Sequence, residues 1–133
     1  MRALCSALAS ALLLLSAATA SGYEIGERAV TWQDPDRGNR SVGINVRYPA
    51  DVAGANVAVA AAPPEGFPVV AFGHGFLMPA TVYSIVVNAL VPAGYIVLLP
   101  TTEGSLTPNH GQFGADLAFA VRRARLEGAN PAS

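Results

Sequence analysis

The sequence predicts an α/β fold, with two antiparallel leading strands followed by a parallel βαβα unit. Alternating apolar residues between Val42 and Tyr48 indicate a strand with one wet face. Two continuous apolar runs, at 69–72 and 95–99, are typical of strands buried on both faces. Helical spacing lies between and after these runs, and two such strands joined by a helix form a parallel crossover. A parallel sheet needs helices on both faces, so we expect a layered α/β domain.

The leading strands are expected at 23–31 and 42–48. The segment 33–39 between them contains Asp-Pro-Asp and Gly38, which is turn chemistry, and it favours an antiparallel hairpin. Within this turn, Asp34 and Arg37 are expected to pair. Pro49 is expected to end the second strand. The segment 51–66 predicts an irregular loop, and a short strand at 57–61 is the alternative.

Two helices are expected around the second buried strand. Pro79 fits the first turn of one helix, and Gly94 is a natural stop. Its apolar face is predicted to hold Val82, Ile85, Val86, Ala89 and Leu90. After a polar segment at 101–110, a second helix is predicted from Gln112, with Phe113, Leu117, Val121 and Ala124 on one face. Asp116 is interpreted as a first-turn residue that complements the helix dipole, opposite late arginines.

The first twenty residues predict a signal peptide. Arg2 supplies a minimal positive region, an apolar run includes 11–15, and Ala18-Thr19-Ala20 is a small-x-small cleavage pattern. The run is short for a bilayer span, although a retained anchor is the alternative. We therefore expect a secreted or periplasmic protein without stable membrane insertion after cleavage. Residues 21–133 are expected to form one incomplete domain, and the only cysteine, Cys5, lies in the leader.

Composition excludes several classes of function. Hydrophobic residues make up 52% and charged residues 13% of the chain, and the net charge is −1, so no nucleic-acid partner is expected. His74 and His110 lie far apart, without carboxylates at ligand spacing, so no metal site is expected. Gly73-His74-Gly75 matches neither a phosphate-binding loop nor a dinucleotide fingerprint, so no cofactor is expected.

The Gly73-His74-Gly75 turn after the first buried strand is the strongest candidate for a functional segment. Glycines let a backbone turn tightly and bring its N–H groups close to a ligand. Open α/β sheets place their sites at the carboxyl ends of the strands. The alternative is an ordinary strand-to-helix turn that needs glycine only for its geometry.

The sequence around this turn resembles a known superfamily. Residues 37–50, then Phe67-Pro68-Val69-Val70 and Gly73-His74-Gly75-Phe76, are similar to secreted serine hydrolases of the α/β-hydrolase superfamily. The nearest groups are the chlorophyllases, dienelactone hydrolases, platelet-activating-factor acetylhydrolases and cutinase-like polyester hydrolases. The segments 93–97 and 113–117 also fit this resemblance, which covers nearly the whole chain after the leader.

The resemblance implies a role for each residue of the turn. The loop after a His-Gly turn donates one backbone N–H to the oxyanion hole, so the expected donor is the N–H of Phe76. Gly73, His74 and Gly75 would shape the turn, and Phe76 and Leu77 would line the substrate. Because the order in this superfamily is nucleophile, acid and then histidine, neither His74 nor His110 is expected to be the catalytic base.

No Gly-x-Ser-x-Gly nucleophile motif occurs in the sequence, and Ser84 and Ser105 are interpreted as bystanders. The resemblance therefore implies the N-terminal portion of a secreted carboxylic-ester hydrolase, acting through a serine acyl-enzyme on a small or polymeric ester. The catalytic triad would follow this portion, which alone would be inactive. Two alternatives stay open: a secreted non-catalytic α/β binding module, and an α/β-hydrolase with an Asp or Cys nucleophile.

Overall fold

A computed structural model describes residues 22–75, 77–78 and 80–128. The predicted signal peptide, together with Phe76 and Pro79, lies outside the described residues. The regular elements are β1 (Glu24–Asp34), β2 (Arg40–Ala50), β3 (Gly54–Ala55), β4 (Val69–Ala71), α1 (Ser84–Leu90), β5 (Ile96–Pro100) and α2 (His110–Gly128). Short 3₁₀ turns at Pro35–Arg37 and Ala80–Tyr83 precede β2 and α1.

The strands form one mixed five-stranded sheet in the order β3-β1-β2-β5-β4. β1 pairs with β2 in antiparallel register, β2 pairs antiparallel with β5, and β5 pairs parallel with β4. The predicted hairpin and the predicted parallel pair are both confirmed. Because β2 runs against β1 and β5, the strands β1, β4 and β5 all point the same way. Their carboxyl ends therefore meet at one edge of the sheet.

Each face of the sheet packs against one helix. On one face, α2 places Phe119 and Ala120 over Val42, Ile44 and Leu98. On the other face, the residues that pack together are Val87 and Val91, from α1 and the turn after it, and Val97 and Leu99 of β5. Alternate residues of β5 thus enter different cores, as expected for a strand buried on both faces. β4 is only partly buried, because within the described residues it pairs with β5 alone.

The predicted apolar face of α1 is wrong in part, although Leu90, one of its predicted members, packs against the core. Val87 is the buried residue of this helix, whereas Ile85 is 77% exposed and Val82 is 44% exposed. Five of the seven residues of this short helix are apolar, so the hydrophobic pattern does not fix which face packs on the sheet. In α2 the predicted Ala124 packs against the core, but the buried residues are Phe119 and Ala120, whereas the predicted Leu117 and Val121 are only partly buried.

Pro49, predicted to end the second strand, lies inside it. Pro49 is paired with Ile25 in the β1–β2 ladder, and β2 continues to Ala50. Its pairing with β5 has already ended at Arg47, and the Pro49 carbonyl accepts a hydrogen bond from the Ala60 N–H at 2.9 Å. The missing proline N–H therefore leaves no partner unsatisfied there. In the loop at 51–66, the strand is Gly54–Ala55 rather than the suggested 57–61, where Val59 forms one isolated bridge.

Candidate functional site at the carboxyl edge of the sheet

The Gly73-His74-Gly75 turn lies at the carboxyl end of β4 and against α2. A Cβ atom at Gly73 would lie 3.1 Å from Phe113 Cε1 and 3.2 Å from Leu117 Cδ1, both of which are closer than ordinary packing. Glycine at this position therefore lets the end of the strand approach the first turns of α2. The close approach gives Gly73 a packing role in addition to its place in the turn.

The side chain of His74 connects this turn to the loop that follows β5. Its Nε2 atom lies 2.8 Å from the carbonyl oxygen of Thr102, and its ring stacks at a tilt on Phe113, with centroids 4.5 Å apart. Its Nδ1 atom lies 3.1 Å from the carbonyl oxygen of Gly75. A carbonyl oxygen only accepts hydrogen bonds, so each contact needs a proton on that nitrogen. The neutral ring can make one of these bonds and the charged ring can make both.

The backbone of Gly75 is held on both sides of its α-carbon. Its N–H donates a short hydrogen bond to the Tyr83 hydroxyl, and its carbonyl accepts a hydrogen bond from the Met78 N–H at 3.1 Å. The Tyr83 ring packs on Phe72, with centroids 5.0 Å apart. The N–H of Gly75 is thus already occupied inside the protein.

A buried carboxylate lies behind this turn. Asp116 is 0% exposed, and its interpretation as a first-turn residue is wrong, because α2 begins at His110 and Asp116 is its seventh residue. Arg40 binds it through Nε–Oδ1 at 3.0 Å and Nη2–Oδ2 at 2.9 Å. The Nη2 atom of Arg37 forms an ion pair with Oδ1 at 2.7 Å, and the Thr102 hydroxyl donates to Oδ2 at 2.5 Å. Two arginines from the β1–β2 turn region therefore meet one carboxylate of α2.

Further contacts extend this cluster along the edge of the sheet. Arg40 Nη2 also donates to Glu103 Oε1 at 2.8 Å, and Glu103 Oε2 accepts from the Asn109 N–H at 2.6 Å. Arg37 Nε donates to Asp34 Oδ2 at 2.6 Å, which confirms the predicted pair across the turn. The cluster thereby joins the hairpin turn, the loop after β5 and the helix α2.

The electrostatics of the cluster keep Asp116 and Glu103 ionised. Burial alone would raise the pKa of Asp116, but hydrogen bonds from Arg40, Thr102 and Arg37 outweigh it and hold that pKa below its usual value. The Asn109 N–H and then Arg40 lower the pKa of Glu103. The bonds to Asp116 and Glu103 raise the pKa of Arg40, so this guanidinium stays charged. A buried carboxylate with this set of donors is a fixed negative charge.

The structure places the other predicted residues as follows. Leu77 is half exposed and adopts a left-handed backbone conformation, with φ 54°. Phe76, the predicted oxyanion donor, lies outside the described residues. Ser84 is exposed at the start of α1, and Ser105 is exposed in the loop after β5. His110 is the first residue of α2 rather than a residue of the preceding loop, and it is exposed.

Sequence reasoning missed the role of Asp116, although a signal for it was present. Asp116 follows Phe113 by three positions and precedes Ala120 by four, so a carboxylate lies in the apolar stripe of α2. A charged residue in such a stripe needs a buried partner. The sequence does not identify the partner, because Arg40 is 76 positions away.

A cavity of about 470 Å³ lies at the opposite edge of the sheet, where β4 and β5 begin. The aromatic residues among its lining are Tyr23, Phe67 and Tyr95. The Tyr23 and Phe67 rings contact each other edge to face, with centroids 5.2 Å apart. The cavity is therefore separate from the Gly73–Gly75 turn, which lies at the other end of the strands.

Neither a metal centre nor a bilayer span is found in the part of the chain that the structure describes. Its His, Cys, Asp and Glu side chains form no group of three that could hold a metal ion. None of its helices has the length and apolar character needed to cross a bilayer. Comparison with family models, with curated proteins and with solved structures gives no match.

Proposed function

We propose that this chain is the N-terminal portion of a secreted carboxylic-ester hydrolase of the α/β-hydrolase kind, which acts through a serine acyl-enzyme. Its substrate would be a small-molecule or polymeric ester. The observation that carries the proposal is the Gly73–Gly75 turn, which lies at the carboxyl end of a parallel strand and is linked by His74 to the loop after the next strand. This is where open α/β sheets place their ligands.

The order of the strands supports the proposal. In the resembled fold, the strand that carries the nucleophile pairs with the strand that corresponds to β4. Within the described residues, β4 pairs only with β5, so its outer edge is open to a further parallel strand. A nucleophile at the carboxyl end of that strand would lie beside the Gly73–Gly75 turn.

The contacts of Gly75 support the expected oxyanion donor. Its own N–H is taken by the Tyr83 hydroxyl, so it is not available to a substrate. The next N–H, that of Phe76, belongs to the same planar peptide unit as the Gly75 carbonyl. That carbonyl accepts a hydrogen bond from the Met78 N–H and lies 3.1 Å from His74 Nδ1, so the Gly75 side of this peptide unit is held by the protein. One preorganised oxyanion donor contributes about 3–4 kcal/mol to catalysis.

The proposed chemistry needs a nucleophile from outside these residues. The sequence contains no Gly-x-Ser-x-Gly motif, and Ser84 and Ser105 are exposed without a histidine contact among the described residues. In the proposal, a serine from the following strand attacks the ester carbonyl, and the Phe76 N–H stabilises the oxyanion that forms. The 133-residue chain alone is expected to hydrolyse no ester.

The proposal is tested on the product of the full gene. We expect the full-length protein to hydrolyse p-nitrophenyl acetate or butyrate, and a fluorophosphonate probe to label one serine within a Gly-x-Ser-x-Gly sequence. If the protein hydrolyses the ester without being labelled, and a thiol-alkylating reagent abolishes the hydrolysis, the nucleophile is a cysteine rather than a serine. If the full-length protein shows no hydrolysis and no labelling, the proposed enzyme activity is overturned and a secreted binding module is favoured. The matched control is the 133-residue chain, which should remain inactive.

Secretion has its own test. N-terminal sequencing of the exported protein should begin at Ser21, directly after Ala18-Thr19-Ala20. A mature protein that still starts at Met1 would contradict the cleaved signal and indicate a retained anchor.

A further inference from the structure

We infer that Asp116 is a positioning residue for the Gly73–Gly75 turn and that it acts through Thr102. The inference rests on the proposed function, because it assigns to this buried carboxylate the task of fixing the turn that would present the oxyanion donor. Asp116 touches no substrate in this account. Its effect passes through one hydroxyl and one backbone carbonyl.

Thr102 makes the connection through its two oxygen atoms. Its hydroxyl donates to Asp116 Oδ2 at 2.5 Å, and its carbonyl oxygen lies 2.8 Å from His74 Nε2. His74 in turn has Nδ1 3.1 Å from the Gly75 carbonyl oxygen. These close contacts link a buried carboxylate, through Thr102 and the His74 ring, to the carbonyl of Gly75, and the charged ring makes both of the His74 hydrogen bonds.

Asp116 is a suitable fixed point for these contacts. It is fully buried on α2, and Arg37, Arg40 and Thr102 all bind its two oxygens. Thr102, in contrast, lies in the irregular loop between β5 and α2, next to Glu103, whose backbone has φ 58°. A loop carbonyl has no strand or helix to set its direction. The hydroxyl bond to Asp116 therefore supplies an anchor for that carbonyl.

The Thr102 hydroxyl can be separated from the rest of the cluster. Arg37 and Arg40 hold the hairpin turn to α2 by their own bonds to Asp116, and these do not involve Thr102. Removing the hydroxyl should leave that connection in place while it frees the loop carbonyl opposite His74. A variant at Thr102 thus tests positioning apart from the assembly of the fold.

The experiment compares Thr102→Val, Thr102→Ser and the control Thr107→Val in the full-length protein. Valine keeps the shape of threonine and removes the donor, serine keeps the donor, and Thr107 is an exposed residue of the same loop. We expect Thr102→Val to lower kcat about tenfold, less than deletion of an oxyanion donor, with KM changed less than about twofold. Thr102→Ser and Thr107→Val should retain the wild-type kcat.

A second measurement does not depend on activity. In ¹⁵N-resolved NMR spectra of the same proteins, Thr102→Val should shift the His74 Nε2 resonance and speed hydrogen exchange of the Gly75 amide about fivefold. Thr102→Ser should give wild-type spectra. Unchanged His74 and Gly75 signals in Thr102→Val would overturn the inference, as would equal losses in the serine and valine variants.

The two arms separate failure of the inference from failure of the proposed function. Absence of ester hydrolysis in the wild-type protein would overturn the function. The NMR arm would then still decide whether Asp116 and Thr102 position His74. Changed spectra with an unchanged kcat in an active protein would overturn the role in catalysis. Asp116→Asn is the more direct substitution, but it also disturbs both arginines. The comparison of Thr102→Val with Thr102→Ser is therefore the test of the inference.

Discussion

Arg40, at the start of β2, binds the carboxylate of Asp116 in α2 through two hydrogen bonds, Nε–Oδ1 at 3.0 Å and Nη2–Oδ2 at 2.9 Å. A paired arrangement of this kind is charge-assisted and directional. The carboxylate is fully buried, whereas the Arg40 side chain is 27% exposed. The pair therefore fixes α2 against the sheet at the edge where the Gly73–Gly75 turn lies.

Replacing Asp116 by Asn should lower the free energy of unfolding by about 2–4 kcal/mol, because both arginines lose a buried counter-charge. Urea unfolding followed by circular dichroism measures the change. The control is Glu127→Gln, whose ion pair with Arg123 lies on the surface of α2 and should cost no more than about 1 kcal/mol. A loss for Asp116→Asn no larger than that of the control would contradict the role of the buried cluster.

Stability should fall in acid for the same reason. The pKa of Asp116 is lowered in the folded protein, so its contribution is fully present above the pKa of an unfolded aspartate, about 4. That contribution is lost as the pH falls from there through the folded pKa, and Glu103 acts in the same direction. Unfolding free energies between pH 7 and pH 2 should decline less steeply in Asp116→Asn. Parallel curves for the two proteins would contradict the assignment.

The main strands could be predicted from the sequence because their hydrophobic patterns are unambiguous. The alternation from Val42 to Tyr48 and the continuous run at 95–99 each fit one kind of strand. The face of α1 could not be predicted, since apolar residues surround that helix and Ile85 and Val87 are equally hydrophobic candidates. Only packing against β5 selects Val87.

The candidate site was predictable only in its local part. The Gly73–Gly75 turn is visible as three adjacent residues, but its contacts are with Tyr83, eight positions after Gly75, and with Thr102, 28 positions after His74. Long-range hydrogen bonds leave no periodic pattern in a single sequence. An aspartate in an apolar stripe shows that a buried partner exists without showing which arginine it is.

Substitution of Gly114 by alanine should stabilise the protein. Gly114 lies inside α2, where a Cβ atom would meet nothing within 4 Å. Gly114→Ala should therefore raise the free energy of unfolding by about 0.5–1 kcal/mol, because alanine restricts the unfolded chain and favours the helix. Thermal or urea unfolding checks this. The contrast is Gly73→Ala, which should destabilise the protein because its Cβ would press on Phe113 and Leu117.

Removing one hydroxyl should loosen the turn. Tyr83→Phe deletes the acceptor of the Gly75 N–H and keeps the ring contact with Phe72. We expect hydrogen exchange of the Gly75 amide to accelerate about fivefold, as for the loss of one exposed hydrogen bond. Exchange of amides within α2 should stay unchanged and serves as the internal control. Unaltered exchange at Gly75 would show that the bond does not hold the turn.

The most direct measurement is the steady-state hydrolysis of a p-nitrophenyl ester by the full-length protein and by its Gly75→Ala and Gly104→Ala variants. A Cβ at Gly75 would lie 3.1 Å from the Tyr83 hydroxyl, whereas one at Gly104 would meet nothing within 4 Å. If the turn presents half of an oxyanion hole, Gly75→Ala lowers kcat by roughly ten- to a hundredfold with little change in KM, and Gly104→Ala has the wild-type kcat. An active protein in which Gly75→Ala also keeps the wild-type kcat would contradict the account.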